Sequence, residues 1–463
     1  MRSDKHSHFT SLGNVMKKFL IIFFLSLTSL LAQPPQLDMK VFAERRKIFM
    51  EKIDSLGTAI FPCKPEYSRN GDVNYEYRQE SNFYYLSGFE EPEALLVMNP
   101  SFLKNKFVMF VRKRDLRREV WNGPRAGIEG AMTMFGADTA VYYDDFDKLM
   151  LRFRSRGPLY YRFGVNPEID TKIEKAFSGG TSPIIDPSYI LSEMRVIKND
   201  GDWKMGMKQC IDISALAQRE AIKSVKPEMF EYELQGMFEY IYRKSGSPRN
   251  GYPCIVGSGP NSTILHYDKN DRQMHDGEVV LMDCAAEYGY YSADITRTVP
   301  VNGKFSPAQK DIYRIVLNAQ NAAMKLVKPG VEIKRLETAI DSVLGNGLRT
   351  LGLIKNEKDF RLFSIHGYSH WIGLEVHDVG AYSLSGKSRR LEPGMVFTIE
   401  PGIYVRPTIY ADLKEKGYTD DEITRIKPIA DHYMNIGVRI EDDIEVTERG
   451  YINLSESVPR EMN

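Results

Sequence analysis

Cysteine and histidine are scarce in this chain, and there is no excess of charge of either sign. The four cysteines (Cys63, Cys210, Cys254 and Cys284) form no Cys-x-x-Cys pair and no Cys/His cluster. That excludes a thiolate zinc site and a dense disulfide framework, and four buried small apolar residues are expected instead. Lys+Arg and Asp+Glu both number 62, so no basic excess marks a nucleic-acid surface. No Gly-x-Ser-x-Gly elbow or phosphate-binding loop occurs. The glycine-rich stretch around Gly257 and Gly259 lacks the spacing and the basic residue of a phosphate cradle. Internal repeats and low-complexity tracts are also missing. What remains is a globular composition, 42% hydrophobic and 27% charged, and 463 residues is long enough for more than one domain.

The first residues read as a leader. Met16-Lys17-Lys18 precedes an apolar run, residues 19–31, broken only by Ser and Thr and followed by Ala32, Gln33 and two prolines. A short positive stretch, an apolar core and a small residue before a polar break describe a secretory signal peptide. The run is shorter than the roughly 20 residues that span a bilayer. Cleavage after Ala32 is therefore expected, giving an exported protein, periplasmic or secreted, with no membrane anchor once cleaved. Residues 1–15 read as an upstream extension, with translation beginning at Met16.

Two textures follow. Residues 38–56 carry an amphipathic helical pattern with Val41, Ile48 and Ile53 on one stripe. Short apolar runs at 83–86, 94–98 and 106–111 read as strands, and 127–135 and 146–153 as helices. That interleaving predicts a smaller α/β domain over 34–190. Residues 188–226 and 231–244 read as helical. Beyond Gly251, strands at 278–287, 290–301, 395–399 and 438–447 alternate in runs with helices at 307–326 and 333–351. This predicts an α+β domain over 191–463.

The chemistry lies in that second part. Residues 278–301 read as a hairpin, and a turn at Tyr288-Gly289 sets Asp283 directly opposite Asp294. Like charges opposite each other destabilise a sheet, more so when buried, and a bound cation removes the conflict. Glu400 ends an apolar strand and is stopped by Pro401-Gly402. Glu441 shares a strand face with Arg439, which could orient its carboxylate. Taken singly, each is more simply a surface charge. Three of the chain's 8 histidines, His366, His370 and His377, fall within twelve residues. Gly367 and Gly373 argue against a regular helix there. The cluster favours a metal or proton-transfer site over structural histidines. Four carboxylates balance two divalent cations, and one neutral histidine completes a ligand set. Mostly oxygen donors favour a hard ion such as manganese. Two such ions about 3.5–4 Å apart can share a hydroxide nucleophile and stabilise a developing oxyanion, which is hydrolysis at a carbonyl.

These segments, in this order, resemble Xaa-Pro aminopeptidase (aminopeptidase P), one of the pita-bread metallopeptidases. The two-aspartate hairpin, the histidine segment from His366 to Gly380, the glutamate segments around Glu400 and Glu441, and the loop of His266 all match. The stretch 78–97 resembles the family's N-terminal domain. The resemblance implies a pita-bread catalytic domain behind that smaller domain. It implies Asp283, Asp294, His370, Glu400 and Glu441 as ligands of two metal ions, with Asp294 and Glu441 bridging. His266 and His377 would line the site and stabilise the intermediate, and His366 would shape the proline pocket. Arg439 would orient its neighbours, Tyr404 would flank the site, and Glu400 would carry a proton beside a metal-bridging hydroxide. The substrate implied is a peptide with proline second, whose tertiary amide offers no N–H. The resemblance also implies a homo-oligomer, dimer or tetramer. Residues 406–435 are longer than in compact relatives and could alter the pocket rim or a subunit contact.

A prolidase, restricted to Xaa-Pro dipeptides, is the nearest alternative. A non-catalytic pita-bread binding module is another, although such modules lose ligands and all five are present here.

Overall fold

The computed structural model describes residues 37–177 and 182–461. The expected leader, residues 1–33, lies outside them. The described chain divides into two units. One is Leu37–Val196 with Val379–Ala381, and the other takes up at Ile197. The break falls after the helix Ser188–Val196, later than the boundary at 190 read from texture. This helix is tied into the first unit, where Met194 O accepts from the Tyr85 hydroxyl at 3.2 Å and Arg195 donates to Asn82 Oδ1 at 2.8 Å.

The first unit is built on a six-stranded mixed sheet. Its order is Thr139–Tyr142, Phe107–Val111, Leu95–Met98, Thr58–Pro62, Leu159–Tyr160, Ile184–Ile185. Ile60, Leu95, Val97, Val108 and Phe110 form its core with Phe146, Ile169 and Ile173 from helical segments. Full burial of each such side chain stabilises by roughly 1.5–3 kcal/mol. The helix Met39–Lys52 starts at Asp38, whose carboxylate accepts the Lys40 N–H at 3.0 Å. Residues 83–86, read as a strand, are instead part of the helix Ser81–Ser87, begun by Glu80 accepting the Phe83 N–H at 2.7 Å. A short, wholly buried apolar run carries no periodicity to separate the two states.

In the second unit the helices Met207–Ser224 and Glu231–Lys244 pack together, as do Pro307–Met324 and Ile333–Thr350. The third helix begins with a capping box. Gln309 N–H donates to Ser306 Oγ at 3.2 Å, and Ser306 N–H donates to Gln309 Oε1 at 2.9 Å, with Pro307 at the first helical position. Ile312, Val316, Ala319, Gln320 and Ala323 make its buried face.

The strands that these helices cover are broken, not continuous. Val279–Asp283 pairs with Thr296–Pro300, and Ala286–Tyr288 pairs with Tyr291–Ser292. Val396–Ile399 pairs with Asp442–Val446, and Gly402–Val405 pairs with Ile436–Arg439. The expected hairpin register is corrected. Gly289 (φ 59°) and Tyr290 (φ 70°) form the turn, so Asp283 stands opposite Thr296 and not opposite Asp294. A type I′ hairpin turn needs positive φ at both central positions, and Gly289 meets that need as the first of them. Moving the turn by one residue shifts each cross-strand pair by two, which keeps every side chain on its face.

Residues 406–435 hold the helices Ile409–Glu415 and Asp420–His432. They fasten onto the turn Glu357–Leu362 ahead of His366. The Tyr418 hydroxyl donates to Asp359 Oδ2 at 2.6 Å, and Arg406 donates to Leu362 O at 3.1 Å.

Candidate metal centre

All four expected carboxylates stand at the strand breaks. Asp283 ends its strand, Asp294 lies between Ser292 and Thr296, Glu400 precedes Pro401, and Glu441 separates Arg439 from Asp442. Pro401 has no N–H to continue the ladder, so the chain leaves the sheet at Glu400. His370 comes from the irregular segment before Trp371, where Thr398 N–H donates to His370 O at 2.9 Å and His370 N–H donates to Thr398 Oγ1 at 3.2 Å.

These side chains converge on a cavity of about 420 Å³ lined by Asp283, Asp294, His370, Glu400 and Glu441, and also by His266, His366, His377 and Arg439. His370 Nε2 lies 3.3 Å from Asp294 Oδ2, 3.4 Å from Glu400 Oε1 and 3.9 Å from Glu441 Oε1. Ligand atoms of Asp294, His370 and Glu441 all fall within 4.8 Å of one another. His370 Nδ1 is 3.1 Å from Trp371 O. A carbonyl accepts only, so Nδ1 carries a proton and Nε2 faces the carboxylates.

Tyr404 is the one expected site residue not on the cavity wall. Its buried hydroxyl accepts from Arg439 at 2.9 Å and lies 2.9 Å from His366 Nε2. Arg439 also donates to Asp283 Oδ2, and to Thr296 Oγ1 at 3.2 Å. The expected pairing of Arg439 with Glu441 is therefore corrected. Alternation along a single strand put them together, but the strand breaks between them. Glu441 Oε2 accepts instead from the Thr296 hydroxyl at 2.6 Å.

Sequence reasoning missed Tyr252. Its hydroxyl reaches Asp283 Oδ1 at 2.5 Å and Asp294 Oδ1 at 2.7 Å. Nothing in its local sequence marks it, since the contact spans 31 residues to one aspartate and 42 to the other.

The electrostatics show a site short of positive charge. Burial raises the Glu400 carboxyl to about 7, with His370 opposing and Asp294 adding to the rise. Burial, then Asp294 and Glu400, holds Glu441 well above the usual carboxylate range. Burial disfavours the charged form of His370, but its hydrogen bond to Asp294 and the charges of Glu400 and Asp294 outweigh this and raise it to about 9. Burial and then Arg439 lower His366 to about 3, so that ring is neutral. Glu441 Oε1 is buried with no hydrogen-bond partner among the described residues. Such an orphaned oxygen is costly unless something binds it. Four carboxylates, an imidazole nitrogen turned toward them and an orphaned oxygen fit divalent cations with oxygen-rich coordination.

Comparison with known proteins agrees with this geometry. Residues 205–448 match the profile of metallopeptidase family M24, and residues 42–160 match that of the aminopeptidase P N-terminal domain. The chain belongs to metallopeptidase family M24. It is 36% identical over 445 residues to the Xaa-Pro aminopeptidase of Escherichia coli, covering 91% of this chain and 96% of that one. The solved aminopeptidase PepP of Pseudomonas aeruginosa superposes with a TM-score of 0.84 at 37% identity, covering 92% of this chain and 97% of that one. A zinc-substituted Escherichia coli aminopeptidase P, solved with product, superposes with a TM-score of 0.83 at 35% identity over 92% and 97% of the two chains. The M24 fold of this chain is thus the α+β pita-bread unit, preceded by the smaller N-terminal domain. Family M24 carries divalent metal ions, and the five converging side chains are where this chain could hold them.

Proposed function

We propose that this chain is a manganese-dependent Xaa-Pro aminopeptidase that removes the N-terminal residue from peptides with proline second. The observation that carries the reading is the convergence of Asp283, Asp294, His370, Glu400 and Glu441 on one cavity also lined by His266, His366 and His377. The chain around it matches the Xaa-Pro aminopeptidase of Escherichia coli over 96% of that protein's length. Two divalent ions at this site would polarise the scissile carbonyl and lower the pKa of water.

The chain's own groups would do the rest. Tyr252, Thr296, Arg439 and the Trp371 carbonyl would hold four of the five ligands in place, and the Thr398 hydroxyl, 3.3 Å from Glu400 Oε1, would hold the fifth. Glu400, whose carboxylate faces the cavity 3.4 Å from His370 Nε2, would be placed to take a proton and pass it to the leaving proline nitrogen. His266 and His377 stand exposed on the cavity wall, where their N–H groups can donate to a developing oxyanion. His366, kept neutral and bonded to Tyr404, offers a flat uncharged wall to a proline ring. None of these contacts requires the N–H that a prolyl amide lacks. Assay of Xaa-Pro-Yaa tripeptides against Xaa-Pro dipeptides tests the reading. Release of the first residue from tripeptides is expected, and turnover of dipeptides alone would make the protein a prolidase.

The reading includes export through a signal peptide starting at Met16 and cleaved after Ala32, supported by the composition of residues 16–33. An N-terminal mass spectrum of the native protein beginning at Gln33 is expected, and one beginning upstream of Met16 would contradict it. It also includes a homo-oligomer, dimer or tetramer, formed through the N-terminal domain. The helix Leu116–Asn122 there leaves Leu116, Val120 and Trp121 at 74%, 83% and 87% exposure, which supports a self-association surface. Light scattering should give a mass above that of one chain, and a monomer would contradict this.

A further inference from the structure

Two buried glutamines occupy equivalent places on the two helices that back the site. Gln218 lies on Met207–Ser224 and Gln320 on Pro307–Met324, and both side chains are fully buried. The Gln218 amide nitrogen donates to Met282 O at 3.2 Å, to Cys284 O at 3.5 Å and to Ile295 O at 2.7 Å. Those carbonyls flank Asp283 on both sides and follow Asp294. The Gln320 amide nitrogen donates to Ile399 O at 3.0 Å, to Ile440 O at 3.1 Å and to Asp442 Oδ2 at 2.9 Å. Those groups precede Glu400, precede Glu441 and follow Glu441. Each glutamine therefore spans one pair of strand breaks, and together they span all four.

The breaks explain why a donor is needed. At each break the ladder thins: Met282 and Ile399 are the next-to-last and last paired residues of their strands, and Ile295 O takes the Cys284 N–H only at 3.5 Å. A buried carbonyl without a donor costs free energy comparable to a lost hydrogen bond. Every partner here is an acceptor, which fixes the amide with its NH₂ toward the strands. Gln320 Oε1 is held from behind by Arg460 at 2.8 Å. Gln218 Oε1 is buried with no partner among the described residues. The hydrogen bonds of that side chain thus run through its nitrogen.

The geometry points to Gln218 and Gln320 as paired positioning residues that fix the backbone at the four carboxylate ligands, Gln218 for Asp283 and Asp294, Gln320 for Glu400 and Glu441. This rests on the reading of those carboxylates as metal ligands. Groups that orient metal ligands change affinity by about 10- to 100-fold when removed.

The test is calorimetric titration of chelator-stripped full-length protein with Mn²⁺, for the parent, Gln218→Met and Gln320→Met. Methionine keeps the unbranched shape and removes the donors. Each variant is expected to bind Mn²⁺ about 10- to 100-fold more weakly, with the far-ultraviolet circular dichroism of the metal-free form unchanged. Mn²⁺ affinity equal to the parent's, with only a lower melting temperature, would reduce both residues to core packing and overturn the proposal. If either methionine variant does not fold, the matching asparagine variant, which keeps an amide but draws its donors back by one methylene from the carbonyls, decides. Affinity below the parent's supports the proposal, and parental affinity overturns it. A parent that binds no Mn²⁺ would overturn the underlying metal reading instead, so the two failures are distinguishable.

Discussion

Replacing Tyr252 with phenylalanine isolates the contribution of one hydroxyl to the metal centre. The tyrosine is buried, and its hydroxyl lies 2.5 Å from Asp283 Oδ1 and 2.7 Å from Asp294 Oδ1. Burial, then the charges of Asp283 and Asp294, pushes its pKa well above the usual tyrosine value, so it stays a protonated donor. One hydroxyl has one proton. At any moment it serves one carboxylate, so the variant loses one charge-assisted hydrogen bond, worth about 1.5–3 kcal/mol. A tenfold change in affinity corresponds to about 1.4 kcal/mol, so Mn²⁺ binding should weaken by about 10- to 100-fold. The assay is Mn²⁺ titration of the chelator-stripped protein by calorimetry, repeated as recovery of peptidase activity against metal concentration. Activity at saturating Mn²⁺ should fall much less than affinity, because the ligands remain. Affinity within twofold of the parent would refute the argument that Tyr252 holds the two aspartates for the metal.

Three other outcomes follow from the same geometry. Asp294→Asn should abolish turnover while leaving the circular dichroism spectrum intact, and a variant with full metal-dependent activity would contradict the ligand assignment. Metal-free protein should lose stability as pH rises above neutrality. Glu400, raised from 4.5 to about 7, is protonated in the folded state between those values, and His370, raised from 6.5 to about 9, extends the window upward. In both windows the folded state binds more protons than the unfolded state, so the sign is loss of stability with rising pH, roughly 3 kcal/mol for each group. Below about pH 6.5 the lowered His366 and His377 act in the opposite sense, so melting temperature in chelator should fall between pH 7 and pH 9 and should hold once metal is restored, whereas a flat or rising profile over that range would contradict the shifts. Finally, Lys198 Nζ lies 2.8 Å from Asp378 Oδ2 with both side chains almost fully buried. Lys198→Met should destabilise by about 3–5 kcal/mol in denaturant melts, because it strips a buried charge of this partner. A loss under about 1 kcal/mol would show that other groups carry Asp378.

Much of the site was legible because its residues sit in local contexts that conflict with their surroundings. Two aspartates amid Val-Val-Leu-Met and Ile-Thr, and a glutamate closing an apolar strand before Pro-Gly, stand out in a single sequence. Their placement at strand breaks was not legible. Continuous strands at 278–287 and 438–447 were expected, since the apolar run persists across Cys284-Ala285 and Ile440 while the backbone leaves the ladder. The hairpin turn was misplaced by one residue because the second positive-φ position is occupied by Tyr290, which carries no turn signature. Residues 83–86 were misread because a buried apolar run has no period. Tyr252, Gln218 and Gln320 left no trace, because each acts through contacts 31 or more residues distant in the chain. Composition and spacing register chemistry that is local, and these supports are tertiary.

On the proposed reading, five converging side chains make this chain a metal-dependent aminopeptidase selective for proline in second position. The most direct measurement treats the purified protein with chelator, restores Mn²⁺, and follows Arg-Pro-Pro-type peptides and their Arg-Ala-Pro counterparts by mass spectrometry. Loss of a single N-terminal residue from the proline-second peptide alone, abolished by chelator and restored by Mn²⁺, is the predicted result. Equal cleavage of both peptides, or no cleavage of either with Mn²⁺ bound, would contradict the account.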